Sequence, residues 1–256
     1  MSKKRGINAQ SAYAENGGFN GKLGYVIATA ASAVGLGNIW RFPYLCAKYG
    51  GGAFLLVYLI LVLSFGYTMI MSETMVGRIT RKSPLGAFSA LKNTKLSKFG
   101  GFLNAVVPFI IMPYYCVIGG WIIKFMIEFI RGKAQIMAGP TYFNSFIGNT
   151  GNAEVYTIIF AILSFIIILL GVQKGVEKSA KFMMPALIVL AVVISVYSCT
   201  RPGSSAGLKY LFVPNFHNFS IMTVVSALGQ MFFSLSLAMG IMITYGSYQE
   251  DGVDPE

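Results

Sequence analysis

Six stretches of this chain are too apolar and too long to be left in water. A helix rising 1.5 Å per residue needs about 20 residues to cross a hydrocarbon core of roughly 30 Å. The runs near 23-47, 53-77, 99-130, 154-171, 182-199 and 221-246 reach or approach that length. Of the 256 residues 55% are hydrophobic and only 11% charged, whereas a soluble domain carries about 25% charged residues. An all-α polytopic membrane protein with about six transmembrane helices is the expectation.

The formal charge of +11 would suit nucleic acid only if the basic residues gathered on one soluble face. Instead they lie in the short connections, so no nucleic-acid partner is expected. Lys3, Lys4, Arg5, Lys22, Arg78, Arg81, Lys82, Lys92, Lys95, Lys98, Lys174, Lys178 and Lys181 belong to the N-terminal stretch and two alternate loops. The positive-inside bias then puts both termini in the cytoplasm of a plasma-membrane protein. The expected organisation is a cytoplasmic tail over 1-22, a six-helix region over 23-246 and an acidic cytoplasmic tail over 247-256. The polar start offers no cleavage site after a short apolar region, so the tail is read as retained.

Cys46, Cys116 and Cys199 show no metal-ligand spacing and read as buried free thiols. His217 is the single histidine. No nucleophile–base pair or metal cluster emerges, and an enzyme is not expected. Pro108 and Pro113 inside the long third run predict tilt, a kink or extension beyond the bilayer, and Pro185 a milder disturbance in the fifth. The Gly-, Asn- and Ser-rich connection 131-153 is read as a loop with room for short helical turns.

The first run carries Gly35, Gly37, Asn38 and Arg41 where continuous helix would be expected. Paired glycines weaken a helix, and lipid tolerates the freed backbone groups only where they line a cavity. Small residues also serve close helix packing, so the glycines alone leave both readings open. Asn38 and Arg41 favour a site, since an intramembrane cation costs at least roughly 2.5 kcal/mol. The sixth run has a similar interruption at Ser234-Leu235-Ser236-Leu237-Ala238-Met239-Gly240, although hydroxyls there could simply bond back to carbonyls one turn earlier. Two interrupted helices in comparable positions point to an inverted-repeat transporter with a site near the midplane.

The stretch Ala33 to Tyr44, followed by Gly50-Gly51-Gly52-Ala53-Phe54 and by Glu73 with Gly77-Arg78, resembles the signature of the neurotransmitter:sodium symporter family. Phe232-Phe233-Ser234-Leu235-Ser236-Leu237 resembles its sixth helix and Gly175-Val176-Glu177-Lys178 the loop before its fifth. The resemblance implies the leucine-transporter-type fold, here as the first repeat plus the first helix of the second, with helices 1 and 6 unwound near the middle. It implies sodium-coupled symport of an amino acid by alternating access.

In that resemblance Ala33, Asn38 and Ser234 serve one sodium site, and the carbonyls of Ala31 and Val34 half of a second. The amides of Leu36 and Gly37, with the Tyr115 phenol, face the substrate carboxylate. Ser32, Ala33, Phe233 and Ser234 surround its ammonium group, while Ile111, Phe233, Ser236 and Met239 line the side-chain pocket. Monoamine-carrying relatives have an aspartate where Gly35 stands, so an α-amino acid bringing its own carboxylate is implied, hydrophobic or aromatic from the pocket.

Arg41 and Phe233 match the outer gate, and Tyr58, Gln230 and Ser234 the chloride positions of chloride-dependent members. Glu73 is a carboxylate that needs a proton or a partner. The inner-gate arginine and tryptophan of the family correspond here to Asn16 and Phe19. Because the family has eleven or twelve helices, the chain reads as an incomplete transporter needing a second half-transporter chain. The alternative is a non-transporting membrane subunit or ligand-binding half that needs a partner chain.

Overall fold

The computed structural model describes residue 19 and residues 21–35, 37–217 and 219–249. Secondary structure among them is helical, apart from one isolated bridge between Gly51 and Pro214.

The first apolar run is broken. Helix α1 (Gly21–Ala33) stops at the Gly35 region, and the chain resumes as a π-helical turn (Gly37–Arg41) leading into α2 (Phe42–Lys48), with a 41° bend between the two parts. The second run is a continuous span, Gly52–Thr80, made of α3 (Gly52–Leu61), a π-helical turn and α4 (Tyr67–Thr80). A short helix, α5 (Pro84–Leu91), precedes the long α6 (Lys95–Ile130). Thr94 caps α6 by accepting from the Ser97 N–H at 3.2 Å, satisfying one of the amides a helix start leaves unpaired.

Helix α6 has 36 residues, roughly 54 Å at 1.5 Å per residue, so it runs well beyond the hydrocarbon core. Pro108 and Pro113 lie inside it without ending it. The third run therefore resolves its excess length by extension. At its far end Glu128 holds Lys124 at 2.8 Å, Lys133 at 3.1 Å and Arg131 at 3.4 Å.

The connection that follows carries α7 (Ala134–Met137) and α8 (Tyr142–Gly148), then α9 (Thr150–Leu169). The fifth run begins about ten residues earlier than its apolar core suggests: Val172–Cys199 is one span, starting with a π-helical segment (Val172–Glu177) and continuing as α10 (Lys178–Cys199). Glu177, buried at this start, pairs with Lys181 at 2.6 Å. Helix α1 crosses it so closely that a Cβ at Gly24 would stand 2.6 Å from a Glu177 carboxylate oxygen. Helix α11 (Ser204–Phe212) lies over the Gly50-Gly51-Gly52 turn, with the Tyr210 hydroxyl donating to the Ala47 carbonyl at 2.8 Å.

The sixth run is also broken, into α12 (Ile221–Ser234) and α13 (Ile241–Ser247). Among the described residues four helices are long and apolar enough to cross a membrane, and the bent first run, taken as one span, makes a fifth. The sixth run is split into pieces of 14 and 7 residues, neither long enough alone to cross. The expectation of buried thiols holds for Cys46 and Cys116 and fails for Cys199, which is exposed. It sits at the end of α10, a helix whose residues stay largely exposed over its last two turns.

Helix pairs approach through glycine. A Cβ at Gly77 of α4 would collide with the Ile243 carbonyl of α13, and one at Gly246 of α13 with the Thr74 carbonyl of α4. Between α6 and α9, a Cβ at Gly119 would meet the Phe160 ring at 2.5 Å and one at Gly120 the Thr157 nitrogen at 2.6 Å. Such contacts bring backbones together where lipid offers no hydrophobic drive for helix association. Gly77→Ala should therefore cost about 1–3 kcal/mol, the price of overpacking. Gly207→Ala, in α11 with open space around it, should be neutral or stabilise by up to about 1 kcal/mol. Unfolding of the purified variants in detergent checks both.

Candidate functional site

The two broken runs face one another, and side chains repair their interruptions. At the first break the Asn38 side-chain nitrogen donates to the Ala33 carbonyl at 2.8 Å, and the Asn38 N–H donates to the Gly35 carbonyl at 3.0 Å. From the other run, Gln230 Nε2 donates to the Gly37 carbonyl at 3.1 Å and to the Ser234 hydroxyl at 2.8 Å. The Ser236 hydroxyl donates to the Ser32 carbonyl at 3.1 Å. Two side chains of the sixth run, Gln230 and Ser236, thus bond across the gap to carbonyls of the first, beyond the local back-bonding that Ser32 and Thr244 make.

The second break is irregular in detail. Ser236 and Ala238 adopt φ of 54° and 56°, and Gly240 φ of 70°, a left-handed region that side-chain-bearing residues seldom occupy without tertiary support. Glu73 supplies part of it. Its carboxylate accepts from the Ala238 N–H at 2.8 Å, while its second oxygen is buried without a partner. Glu73 is only 7% exposed, so the partner that this carboxylate needs is the backbone of the sixth run.

Between the breaks and α6 lies a cavity of about 620 Å³, within the size range of small-molecule sites. Ser32, Ala33 and Gly37 line it from the first run, and Phe233, Ser234, Ser236 and Met239 from the sixth. Ile111 and Tyr115 line it from α6. These are nine of the ten residues expected around a substrate; Leu36 lies outside the described residues. Gly35 also borders the cavity, and a Cβ there would meet open space.

The expected ion residues divide. Ala33, Asn38 and Ser234 all border this cavity. Val34 instead faces a separate hollow beside α10, shared with Asn38, Ile39, Leu187 and Ser195, and Ala31 is half-buried outside both. Gln230 is fully buried and touches Ser234, while its side-chain oxygen has no partner. Tyr58 belongs to an aromatic cluster, edge-on to Phe42 at 5.0 Å and stacked on Phe54 at 6.5 Å. On one side of the cavity Phe233 carries the Arg41 guanidinium 4.9 Å above its ring centre, with the Tyr115 ring 5.9 Å away. Phe19 is 1% exposed, edge-on to Tyr245 at 5.3 Å and Tyr25 at 5.9 Å; Asn16 lies outside the described residues.

Sequence reasoning did not anticipate Ser83, Pro84, Asn104, Pro108, Met112, Thr244 and Tyr245, which extend the lining. A signal for the α6 members was available. Tyr115, Met112, Ile111, Pro108 and Asn104 follow one another in steps of one, three or four residues, along a single face of a helix.

Comparison with known proteins identifies the family and the fold. A family model described as the sodium:neurotransmitter symporter family matches residues 16–138 and 126–254. An uncharacterised sodium-dependent transporter of Bacillus subtilis, YhdH, is 34% identical over 230 residues, 89% of this chain and 51% of the relative. A mouse sodium-dependent neutral amino acid transporter, B(0)AT2, is 29% identical over 270 residues, 92% of this chain and 36% of the relative. The crystal structure of MhsT in complex with L-phenylalanine superposes with a TM-score of 0.85 at 37% identity, covering 91% of this chain and 54% of that one. The chain spans about half the length of the first curated relatives it matches.

The Glu73 contact makes a stability prediction. Glu73→Ala leaves the half-buried Ala238 N–H without its partner, which should cost about 1–3 kcal/mol. Glu73→Gln retains an acceptor oxygen and should cost less. Thermal unfolding of the two variants side by side measures the difference.

Proposed function

This chain belongs to the sodium:neurotransmitter symporter family, and from that premise we propose that it serves sodium-coupled symport of a hydrophobic or aromatic α-amino acid by alternating access. It is a multi-pass membrane protein of a transporter family, not an enzyme family. One observation carries the reading: a single cavity joins the ends of two interrupted helices to apolar side chains.

In this reading the carboxylate of the amino acid lies at the start of the π-helical turn, near the amides of Leu36 and Gly37. Partial positive charge at a helix start favours an anion there, and the Tyr115 phenol adds a donor. The open space at Gly35 leaves room for that carboxylate. Ser32, Ala33, Phe233 and Ser234 surround the ammonium group, and Ile111, Phe233, Ser236 and Met239 receive the side chain. The similarity to a structure solved with L-phenylalanine supports an aromatic cargo.

Sodium, as the co-transported ion, would take the Ala33 carbonyl, the Asn38 side-chain oxygen and the Ser234 hydroxyl and carbonyl. These are hard oxygen donors of the kind alkali and alkaline-earth cations prefer. The Asn38 amide would turn over, replacing its donation to Ala33 by shared coordination. Ala31 and Val34 would contribute carbonyls to a second ion on the α10 side. Chloride fits less well: the buried atom of Gln230 that lacks a partner is its oxygen, an acceptor that repels an anion, while its Nε2 is already engaged. Tyr58 and Ser234 alone make a poor anion site, so coupling is assigned to sodium.

Arg41 over Phe233 would close the cavity outward, and both termini would face the cytoplasm at the plasma membrane. A second reading is a ligand-binding half that works with a partner chain. Uptake of labelled phenylalanine into proteoliposomes separates the two. Uptake driven by a sodium gradient is expected for a carrier, and sodium-dependent binding without uptake for a half. Asn38→Ala should weaken sodium-dependent binding at least tenfold while leaving membrane insertion intact; unchanged sodium dependence would remove Asn38 from the ion site.

A further inference from the structure

The cavity is longer than the site just described. Along α6 its lining runs from Tyr115 to Asn104, eleven residues or roughly 16 Å of helix. An amino acid held at Tyr115 with its side chain against Ile111 leaves the last part, from Pro108 to Asn104, unfilled.

That part has a chemistry of its own. The Asn104 side-chain nitrogen donates to the Gly100 carbonyl at 3.2 Å, while its oxygen is buried without a partner. The Ser83 hydroxyl stands at the start of α5 and makes no capping bond. No hydrogen bond joins the Tyr245 hydroxyl to a described residue. All three residues line the cavity.

Their neighbourhood is fixed by Gly240. A Cβ on it would stand 2.5 Å from the Pro84 ring and 3.4 Å from the Asn104 carbonyl, and its own carbonyl accepts from the Thr244 hydroxyl at 2.8 Å. Gly240 thus brings the starts of α5 and α13 against α6 at Asn104, and Ser83, Asn104 and Tyr245 line the same cavity. A buried polar atom left unpaired costs free energy, so an acceptor in this condition on a cavity lined also by two hydroxyls favours a bound hydrogen-bonding ligand over empty space.

We propose that this region is a second, inner subsite for a zwitterionic amino acid, holding the cargo after it leaves the Tyr115 end of the cavity. The Asn104 oxygen accepts from the ammonium group, the Ser83 and Tyr245 hydroxyls donate to the carboxylate, and Pro84 and Pro108 flank the side chain. Ser83 is exposed, which leaves this end of the cavity open at its mouth. The inference rests on the amino-acid reading of the cavity and adds a second binding position to it.

Equilibrium binding of labelled L-phenylalanine to the purified full chain in sodium tests it. The wild type should bind about two molecules per chain at saturation. Asn104→Leu and Tyr245→Phe should each reduce this to about one, with the remaining affinity changed less than threefold, whereas Tyr115→Phe should weaken that remaining site. Circular dichroism and elution as a single species show that each variant is folded. One site in the wild type, unaffected by Asn104→Leu and Tyr245→Phe, would overturn the inner subsite and leave the amino-acid reading standing. Absence of phenylalanine binding to a folded wild type would overturn both.

Discussion

Hydrocarbon cannot hydrogen-bond to a peptide group, and the arrangement of this molecule follows from that. Two of its apolar runs give up helical bonding near their middles, and each freed group needs another partner. The partners come from the opposite run, from within the break or from the second run: Asn38 for the Ala33 carbonyl, Gln230 for the Gly37 carbonyl, Ser236 for the Ser32 carbonyl and Glu73 of α4 for the Ala238 N–H. Gln230 and Ser236, in repairing the first break, tie the sixth run to it and place backbone ends and hydroxyls around one cavity.

Close packing makes that repair geometrically possible. Glycines at 77 and 246 let α4 and α13 approach until backbone nearly touches backbone, which carries Glu73 on α4 to the strained segment before α13. Gly37 does the same for the Phe233 ring, which lies 2.6 Å from where a Cβ would stand. The cation–π contact between Arg41 and Phe233 depends on this approach, as does the nearness of Phe233 to Tyr115.

Much of this was legible in the residues. Apolar length marked the spans, and the glycine pair with Asn38, together with the Ser234–Gly240 stretch, marked both breaks, because helix-weakening and polar residues are costly in lipid and rare there without cause. Nine of ten expected substrate residues line one cavity through their match to a family pattern. Other features were hidden. The early start of the fifth span lies in Val172–Glu177, whose polar and charged residues mask the helical backbone. The exposure of Cys199 depends on what stands against α10, which composition cannot reveal.

By itself, then, the sequence determined that the chain is helical and membrane-spanning and where its helices fail, since these follow from the local cost of polar and flexible groups in an apolar solvent. Tertiary structure decided which broken end meets which. It joined Gln230 to Gly37 across 193 positions and Glu73 to Ala238 across 165, and it separated Val34 from Ala33 onto different sides of one break. It also carried the cavity down to Ser83, Asn104 and Tyr245. Contacts between residues so distant along the chain depend on how close the helices come and at what angle, and those are set only when all the helices pack together.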